Sequence, residues 1–292
     1  MSAGQEPLLA QHLRLLEASA IRPDLIRERG YFSASASKTL QQLGFSKSQQ
    51  QRVPALVIPV CGVTGAVVFH QARPDQPREL AGKTVKYETP HGARMAIDVH
   101  PLARQRLGDP SDALIVTEGV RKAEAAFSQG VTAVALMGVW NWRGANGDGG
   151  KAALADWELV ALNGRKVFLA FDSDAAAKRE VRAALERLQG FLELRGAVVH
   201  VAKLEPGPAG AKVGLDDFLA AGGDLAELLN QARNKRQSSL ISIPPPIAPE
   251  AGGKETTSRG TMYSRRFPCS HCLRTSRRNP PGRGAATWHR SH

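Results

Sequence analysis

Apolar and polar positions divide the chain into four zones. Residues 7–50 carry apolar positions at helical spacing, as in LLAQHLRLLEAS, which predicts short helices. Residues 53–73, VPALVIPVCGVTGAVVFHQAR, contain two apolar runs around a glycine-containing turn, which predicts a β-hairpin. Residues 111–203 alternate short apolar runs with helical patterns, and the apolar period is lost beyond about residue 236. The pattern therefore predicts helices, a hairpin, a larger α/β region and a C-terminal segment without a core.

The third zone indicates the fold class. Its predicted strands are ALIVTEG, TAVALMG, KVFLAF and AVVHVAKL, and its predicted helices are RKAEAAFSQG, ALADWELVAL and AAKREVRAALERLQGFLELRG. Strands that are separated by helices pair in parallel, so we expect an α/β fold with an open, mostly parallel sheet flanked by helices. We divide the chain into a helical segment (1–50), a small α+β subdomain with the hairpin (51–110), the α/β domain (111–236) and a disordered tail (237–292).

The basic charge is concentrated in that tail. The formal net charge is +12, and residues 237–292 contribute nine Lys or Arg against two Glu. Because the segment is rich in Pro, Gly, Ser, Thr and Arg, we expect it to be disordered and able to bind phosphate backbones without sequence preference. The rest of the chain is mildly basic, which is compatible with nucleic-acid binding.

Composition also bears on the compartment. No apolar run approaches the roughly 20 residues that span a bilayer, and MSAGQEPLLAQHLRLLEA lacks the apolar block of a signal peptide. Of three cysteines only Cys61 lies outside the tail, which does not suggest a disulfide scaffold. We expect a cytoplasmic protein that does not bind membranes.

Carboxylates follow two of the predicted strands. Asp172 and Asp174 come directly after KVFLAF, and Glu118 ends the strand of ALIVTEG. Because open α/β sheets keep ligands at the carboxyl ends of their strands, the three side chains would lie close together. Crowded carboxylates need a cation, and Mg²⁺ prefers such oxygen ligands. The Asp pair could instead cap the next helix, so both roles are open at this point.

The order of these motifs resembles a known family. A strand ending in Glu-Gly, a strand–helix–strand step and a strand ending in Asp-x-Asp resemble the Toprim domains of bacterial-type DNA primases, topoisomerases and certain nucleases, over about residues 111–203. The preceding ALVIPVCGVTGAVVFHQARP and VKYETPHG resemble the segment before Toprim in the primase catalytic core. TEGVRKAEAA, GVWNWRG and KVGLDDFLA look like the Toprim-like domain of plasmid, phage and integrated-element replication proteins.

The resemblance implies a Toprim-like sheet that binds Mg²⁺ or Mn²⁺. It implies that Asp172 and Asp174 are metal ligands and that Glu118 is a metal ligand or acid/base, with Lys122 reaching the same crevice. It further implies nucleotide or template contacts by Arg73, Lys86 and Tyr87. The implied partners are single-stranded DNA and nucleoside triphosphates. A replicative helicase or a zinc-ribbon module would act in trans, because we recognise neither within the chain.

Two further motifs allow two interpretations each, and a third is disfavoured as a metal site. In VWNWRG, Trp142 and Arg143 could stack bases and hold phosphates, or a tryptophan there could cover the edge of the sheet. In KVGLDDFLA, Lys212 and Asp216 could belong to the site, although Asp216 and Asp217 are well placed to cap a helix. The tail motif CSHC (Cys269, His271, Cys272) lacks the second ligand pair of a zinc site.

Three functions therefore compete. The first is Mg²⁺-dependent, primase-like nucleotidyl transfer in a mobile-element, plasmid or phage replication system. The second is a metal-dependent nuclease on the same fold, and the third is a non-catalytic module that binds DNA or a helicase. Nucleotide hydrolysis by a phosphate-binding loop is disfavoured, because AGKT and GDGGKA both lack a residue that the loop requires.

Overall fold

The computed structural model describes residues 6–146, 149–175 and 177–241, and the tail with its CSHC motif lies outside them. The helices are α1 Ala10–Glu17, α2 Pro23–Arg29, α3 Ser37–Gln42, α4 Lys47–Gln50, α5 Val120–Ser128, α6 Arg179–Leu194, α7 Leu215–Ala220 and α8 Leu225–Ile241. The strands are β1 Phe32–Ala34, β2 Ala55–Cys61, β3 Val67–Pro74, β4 Arg78–Leu80, β5 Lys83–Val85, β6 Asp98–Val99, β7 Leu114–Glu118, β8 Thr132–Leu136, β9 Arg143–Ala145, β10 Lys151–Ala153, β11 Lys166–Ala170 and β12 Val198–Ala202. Short 3₁₀ helices cover Pro101–Gly108, Ala155–Leu159 and Pro208–Gly210.

The central sheet has five strands in the order β12-β11-β7-β8-β6. The four strands predicted from the apolar runs are β7, β8, β11 and β12, and neighbouring members of this set pair in parallel. The fifth strand, β6, pairs antiparallel with β8. The prediction of an α/β fold with an open, mostly parallel sheet is therefore confirmed. The sheet brings the carboxyl ends of β7 and β11 side by side.

Alternation along the buried strands separates two apolar layers. On one face Val116, Leu169 and Val199 pack with α6 residues such as Leu188. On the other face Ile115 and Phe168 join apolar residues of α5, α7 and α8. Because side chains alternate across a strand, strands buried on both faces read as continuous apolar runs in sequence.

A second sheet, in the order β1-β2-β3, precedes the central one. The predicted hairpin is β2–β3, and β1 adds a third antiparallel strand in a zone for which the sequence pattern predicts only helices. Leu56, Ile58 and Val60 of β2 pack with α1 and α2 residues in one apolar cluster. This cluster also contains Val120 at the start of α5, so it joins the N-terminal helices to the helix that follows Glu118.

A buried ionic network reinforces that junction. Arg29 at the end of α2 donates to Asp98 Oδ1 (2.6 Å) and to Glu124 of α5, and the Tyr31 hydroxyl also donates to Glu124. Burial raises the pKa of Glu124, against the attraction of Arg29. Because isolated buried charges are very unfavourable, Arg29 and its two carboxylate partners must remain together.

Three local predictions from the sequence are wrong. The segment ALADWELVAL forms only the 3₁₀ turn Ala155–Leu159, and the glycine-rich segment before it contains the β9–β10 hairpin. The helix predicted from position 176 begins at Arg179. At the other end of the domain, α8 continues to Ile241, past the position at which the sequence pattern loses its apolar period.

Candidate active-site cleft

A cleft of about 500 Å³ opens at the carboxyl ends of β7 and β11. Its walls come from the central sheet, from α5, from the turn before α7 and from the hairpin subdomain. The lining residues are Ile58, Gln71, Lys86, Tyr87, Thr89, Glu118, Gly119, Val120, Arg121, Lys122, Met137, Asp172, Lys212, Gly214, Asp216 and Asp217. Three carboxylates predicted from the sequence to be site residues, Glu118, Asp172 and Asp216, thus share one cavity.

Glu118 lies at the end of β7, where Gly119 turns the chain into α5. Gly119 has a φ of 94°, a conformation that side chains disfavour, and a Cβ there would contact nothing within 4 Å, so backbone conformation is what requires glycine. Burial raises the pKa of Glu118; the positive charge of Lys122 opposes this shift and the negative charge of Asp172 adds to it. The strand end therefore presents a carboxyl group that is less acidic than in water.

Asp172 follows β11, and only 7% of its surface is exposed to solvent. Lys122, from the first turn of α5, lies in ion-pair contact with its Oδ1 atom. Lys212 Nζ lies 2.6 Å from its Oδ2 atom. Although burial acts to lower the pKa of Lys212, its hydrogen bond to Asp172 and the charge of that residue raise it. Both carboxylate oxygens of Asp172 are thus held by ammonium groups.

Asp174 points away from this cavity. Its Oδ2 atom accepts from Lys178 Nζ at 2.6 Å, and its Oδ1 atom lies 3.8 Å from Lys212 Nζ. Burial acts to raise the pKa of Asp174, but the hydrogen bond from Lys178 and the charges of both lysines lower it. Asp174 therefore does not line the cleft with Asp172, although Lys212 lies near both carboxylates.

The turn before α7 supplies the far wall. The backbone of Val213 exchanges two hydrogen bonds with Ser173, N–H to Oγ at 2.9 Å and C=O to N–H at 3.0 Å. A Cβ on Gly214 would lie 2.7 Å from Asp216 Oδ1, 2.7 Å from Lys122 Cε and 3.3 Å from Asp172 Oδ1. Only glycine leaves room there for the two carboxylates and the lysine.

The donor chemistry of the cleft fits a hard cation, although the site is not preassembled. Among residues 6–146, 149–175 and 177–241, no three His, Cys, Asp or Glu side chains are grouped closely enough to hold a metal ion. The expected cluster of Glu118, Asp172 and Asp174 is therefore not formed. Yet Asp216 Oδ1 is buried without a hydrogen bond, and Asp172 Oδ1, whose partner is the Lys122 ammonium group, lies with it beside Gly214. Two such carboxylate oxygens in a polar cleft match the ligands of Mg²⁺.

Of the three residues predicted to contact nucleotide or template, two line the cleft and one does not. Lys86 and Tyr87 line the cleft, whereas Arg73 lies on β3 and is not part of its wall. Sequence reasoning missed Arg121, whose Nε donates to the Tyr87 hydroxyl at 2.9 Å and whose guanidinium lies 3.5 Å from Asp216. Its position beside Lys122 at the start of the helix after Glu118 is the signal that could have indicated it.

The tryptophan prediction is corrected. Trp142 is buried and packs on Phe191 with ring centroids 5.0 Å apart, so it belongs to the core. Arg143 instead stacks on the half-buried Trp140, at 4.3 Å from the ring centroid, and Arg187 lies 5.5 Å from the same ring. Among the ion pairs formed by the described residues, none involves Arg143 or Arg187. This surface has the unpaired positive charge and aromatic face that suit a nucleic acid strand.

Comparison with solved structures identifies the architecture. The Aquifex aeolicus primase, in a structure of its zinc-binding and RNA polymerase domains, superposes with a TM-score of 0.56 at 16% identity, over 80% of this chain and 60% of that chain. The fold is similar to that of bacterial primase catalytic cores. The catalytic domain of the DnaG primase bound to single-stranded DNA superposes with a TM-score of 0.50 at 14% identity, over 84% of this chain and 80% of that chain.

A family model and a protein that match this chain in sequence have descriptions that state no activity. A family model described as a domain of unknown function, DUF3854, matches residues 106–226, which include the cleft residues from Glu118 to Asp217. An uncharacterized protein of Picosynechococcus sp. is 28% identical over 167 residues, which is 46% of this chain and 16% of that protein. The chain thus spans about a sixth of the length of this curated relative. In the part of the chain that the structure describes, no helix is long and apolar enough to cross a bilayer.

Proposed function

We propose that the chain is a Toprim-type core that joins nucleotides in a Mg²⁺-dependent, primase-like reaction on single-stranded DNA, within the replication system of a mobile element, plasmid or phage. One observation carries the proposal: Glu118 and Asp172, at the ends of the paired strands β7 and β11, line a single cleft that also presents Lys86, Arg121, Lys122 and Lys212. The primase-like fold supports the same reaction class.

The charges of the cleft suit a nucleoside triphosphate. Lys86, Arg121, Lys122 and Lys212 offer cationic groups to phosphate oxygens within a cavity of about 500 Å³. Asp172, Asp216 and Glu118 would hold Mg²⁺. Asp174 could become a ligand only if its side chain rotated and broke its contacts with Lys178 and Lys212. Bound Mg²⁺ would supply neutralisation of the charge that develops on the triphosphate. Glu118 is placed to accept the proton of an attacking hydroxyl group.

The surface around Trp140 extends this proposal to the template. Arg143 and Arg187 flank one indole ring without carboxylate partners among the described residues, so phosphate groups would be their natural counter-ions. A strand whose phosphates pair with these arginines and whose bases reach the indole edge would be bound without regard to sequence, as template binding by a primase requires. We assign this surface to single-stranded DNA.

Primer synthesis by the full chain tests the proposal. With a single-stranded template, nucleoside triphosphates and Mg²⁺, we expect labelled products longer than any input oligonucleotide. Glu118→Gln should abolish synthesis and keep the circular dichroism spectrum, whereas Glu205→Gln, which alters an exposed ion pair with Lys203, should leave synthesis unchanged. Shortened oligonucleotides would instead identify a nuclease.

One observation favours a non-catalytic binding module as the second candidate. Both oxygens of Asp172 are paired with lysine ammonium groups, so its charge is neutralised by the chain itself. This candidate predicts neither longer nor shorter products, together with DNA affinity that survives Asp172→Asn. A loss of catalysis in Asp172→Asn would exclude it.

A further inference from the structure

The two lysines of the cleft each pair with one carboxylate oxygen of Asp172. Lys122 approaches Asp172 from α5 and Lys212 approaches from the turn before α7, so the carboxylate is held from both sides. Asp172 is buried, and both of its oxygens already have ammonium partners. A cation that binds Asp172 would therefore compete with at least one ammonium group for the same oxygen.

The same lysines face the space that would hold a triphosphate. Both line the cleft, together with Arg121 and Lys86. The Lys212 side chain is 55% exposed, although the adjacent backbone at Val213 is fixed to Ser173 by two hydrogen bonds. Its ammonium group can thus pivot towards solvent while its backbone stays in place.

From these contacts we propose that Lys122 and Lys212 form a counter-ion lock that couples cation binding to triphosphate binding. Without substrate the ammonium groups occupy Asp172 and keep cation affinity low. Phosphate oxygens, which carry more negative charge than one carboxylate, draw the lysines away and expose Asp172 to Mg²⁺. The inference rests on the proposed function, since it takes the substrate to be a nucleoside triphosphate.

The lock has a reciprocal consequence. If a triphosphate increases the affinity for the cation, the cation increases the affinity for the triphosphate by the same factor. Asp172 and the triphosphate also compete for the same ammonium groups. Removing the charge of Asp172 should therefore strengthen triphosphate binding in the absence of any metal, whereas a carboxylate that acted only as a metal ligand would have no effect under that condition.

The first test measures Mn²⁺ binding to the full chain by electron paramagnetic resonance, because Mn²⁺ takes the same oxygen ligands as Mg²⁺. We expect Lys122→Met and Lys212→Met each to tighten Mn²⁺ binding by about tenfold, and Asp172→Asn to abolish it. Lys203→Met, which removes the same charge from an exposed residue paired with Glu205, controls for net charge.

The second test measures binding of a fluorescent triphosphate analogue in EDTA. We expect Asp172→Asn to tighten binding by at least fivefold, the two lysine variants to weaken it, and the charge-matched control Glu205→Gln to leave it unchanged.

The outcomes separate the lock from the proposed function. Mn²⁺ binding that depends on Asp172 but is unchanged in both lysine variants overturns the lock and leaves the proposed function standing. No Asp172-dependent Mn²⁺ binding in any variant overturns both. Triphosphate binding in EDTA that is weakened by Asp172→Asn also overturns the lock, because the lysines would then not be competing for the two anions.

Discussion

Asp216 and Asp217 are neighbours in the chain, yet their carboxylates serve different parts of the molecule. Asp217 Oδ2 accepts the backbone N–H of Gly214 at 2.9 Å and so closes the start of α7. Asp216 Oδ2 lies 3.5 Å from the Arg121 guanidinium, and burial raises the pKa of Asp216. One acid of the LDDF motif is a helix cap, and its neighbour faces the cleft.

Substitutions at this pair should separate stability from binding. Asp217→Ala removes a helix cap, so we expect a loss of roughly 0.5–1 kcal/mol in the free energy of unfolding, measured by urea titration. Asp216→Asn keeps the shape of a buried side chain that faces the cleft. We expect it to weaken Mn²⁺ binding, which Asp217→Ala should leave unchanged. Equal effects of both variants on stability and on Mn²⁺ binding would contradict this division.

Gly214→Ala should disturb the cleft without unfolding the protein. The added Cβ would meet Lys122 Cε and Asp216 Oδ1, each at 2.7 Å, and both atoms belong to side chains that can move. We expect a loss of roughly 1–3 kcal/mol in the free energy of unfolding, together with loss of Asp172-dependent Mn²⁺ binding. Gly190→Ala is the matched control, because a Cβ there meets nothing within 4 Å. Normal Mn²⁺ binding by Gly214→Ala would show that the wall tolerates the extra atom.

The surface around Trp140 should govern affinity for single-stranded DNA. Arg143→Gln combined with Arg187→Gln removes two unpaired positive charges, so the slope of log Kd against log salt concentration should fall by roughly 1.4. Fluorescence anisotropy with a labelled oligothymidine measures both affinity and slope.

Two controls define this surface. Arg179→Gln changes an exposed arginine at the start of α6 and should have little effect on DNA affinity. Trp142→Leu should lower the free energy of unfolding by about 2–4 kcal/mol with little change in DNA affinity, because Trp142 packs in the core. A larger effect of Arg179→Gln than of the double variant would disprove the assignment.

His100 should make stability depend on pH. Its Nε2 atom lies 3.1 Å from the Leu25 carbonyl and its Nδ1 atom accepts from the Leu102 N–H, which fits the neutral ring. Burial lowers the pKa of His100 from 6.5 to about 4. Because the unfolded chain takes up this proton first, stability is full above pH 6.5 and falls as the pH decreases towards 4.

Urea titrations at several pH values check this dependence. Between pH 7 and pH 4 we expect wild type to lose roughly 2–3 kcal/mol more stability than His100→Gln, whose side chain does not titrate. Parallel pH profiles for the two proteins would show that His100 does not contribute.

The sequence by itself determined the central sheet. The runs LIVTE, TAVAL, KVFLA and VVHVA are mostly apolar and separated by helical patterns, which favours parallel pairing. The first three are buried almost throughout, whereas VVHVA forms an edge strand with two exposed valines. From the same pattern Glu118 and Asp172 had to end strands at one edge. The sequence pattern did not predict the shorter strands. The strands β1, β9 and β10 have three residues each, too few for an apolar period to appear.

Only the tertiary structure decided how the charges are partnered. Sequence spacing placed Asp172 and Asp174 together, but side-chain direction turns one towards Lys122 and the other towards Lys178. Likewise Trp142, a candidate nucleic-acid contact in the sequence, packs on Phe191 in the core, and Arg143 stacks on Trp140 instead. The reason is physical: apolar periodicity is a local property of the chain, whereas an ion pair depends on which distant segment packs within a few ångströms.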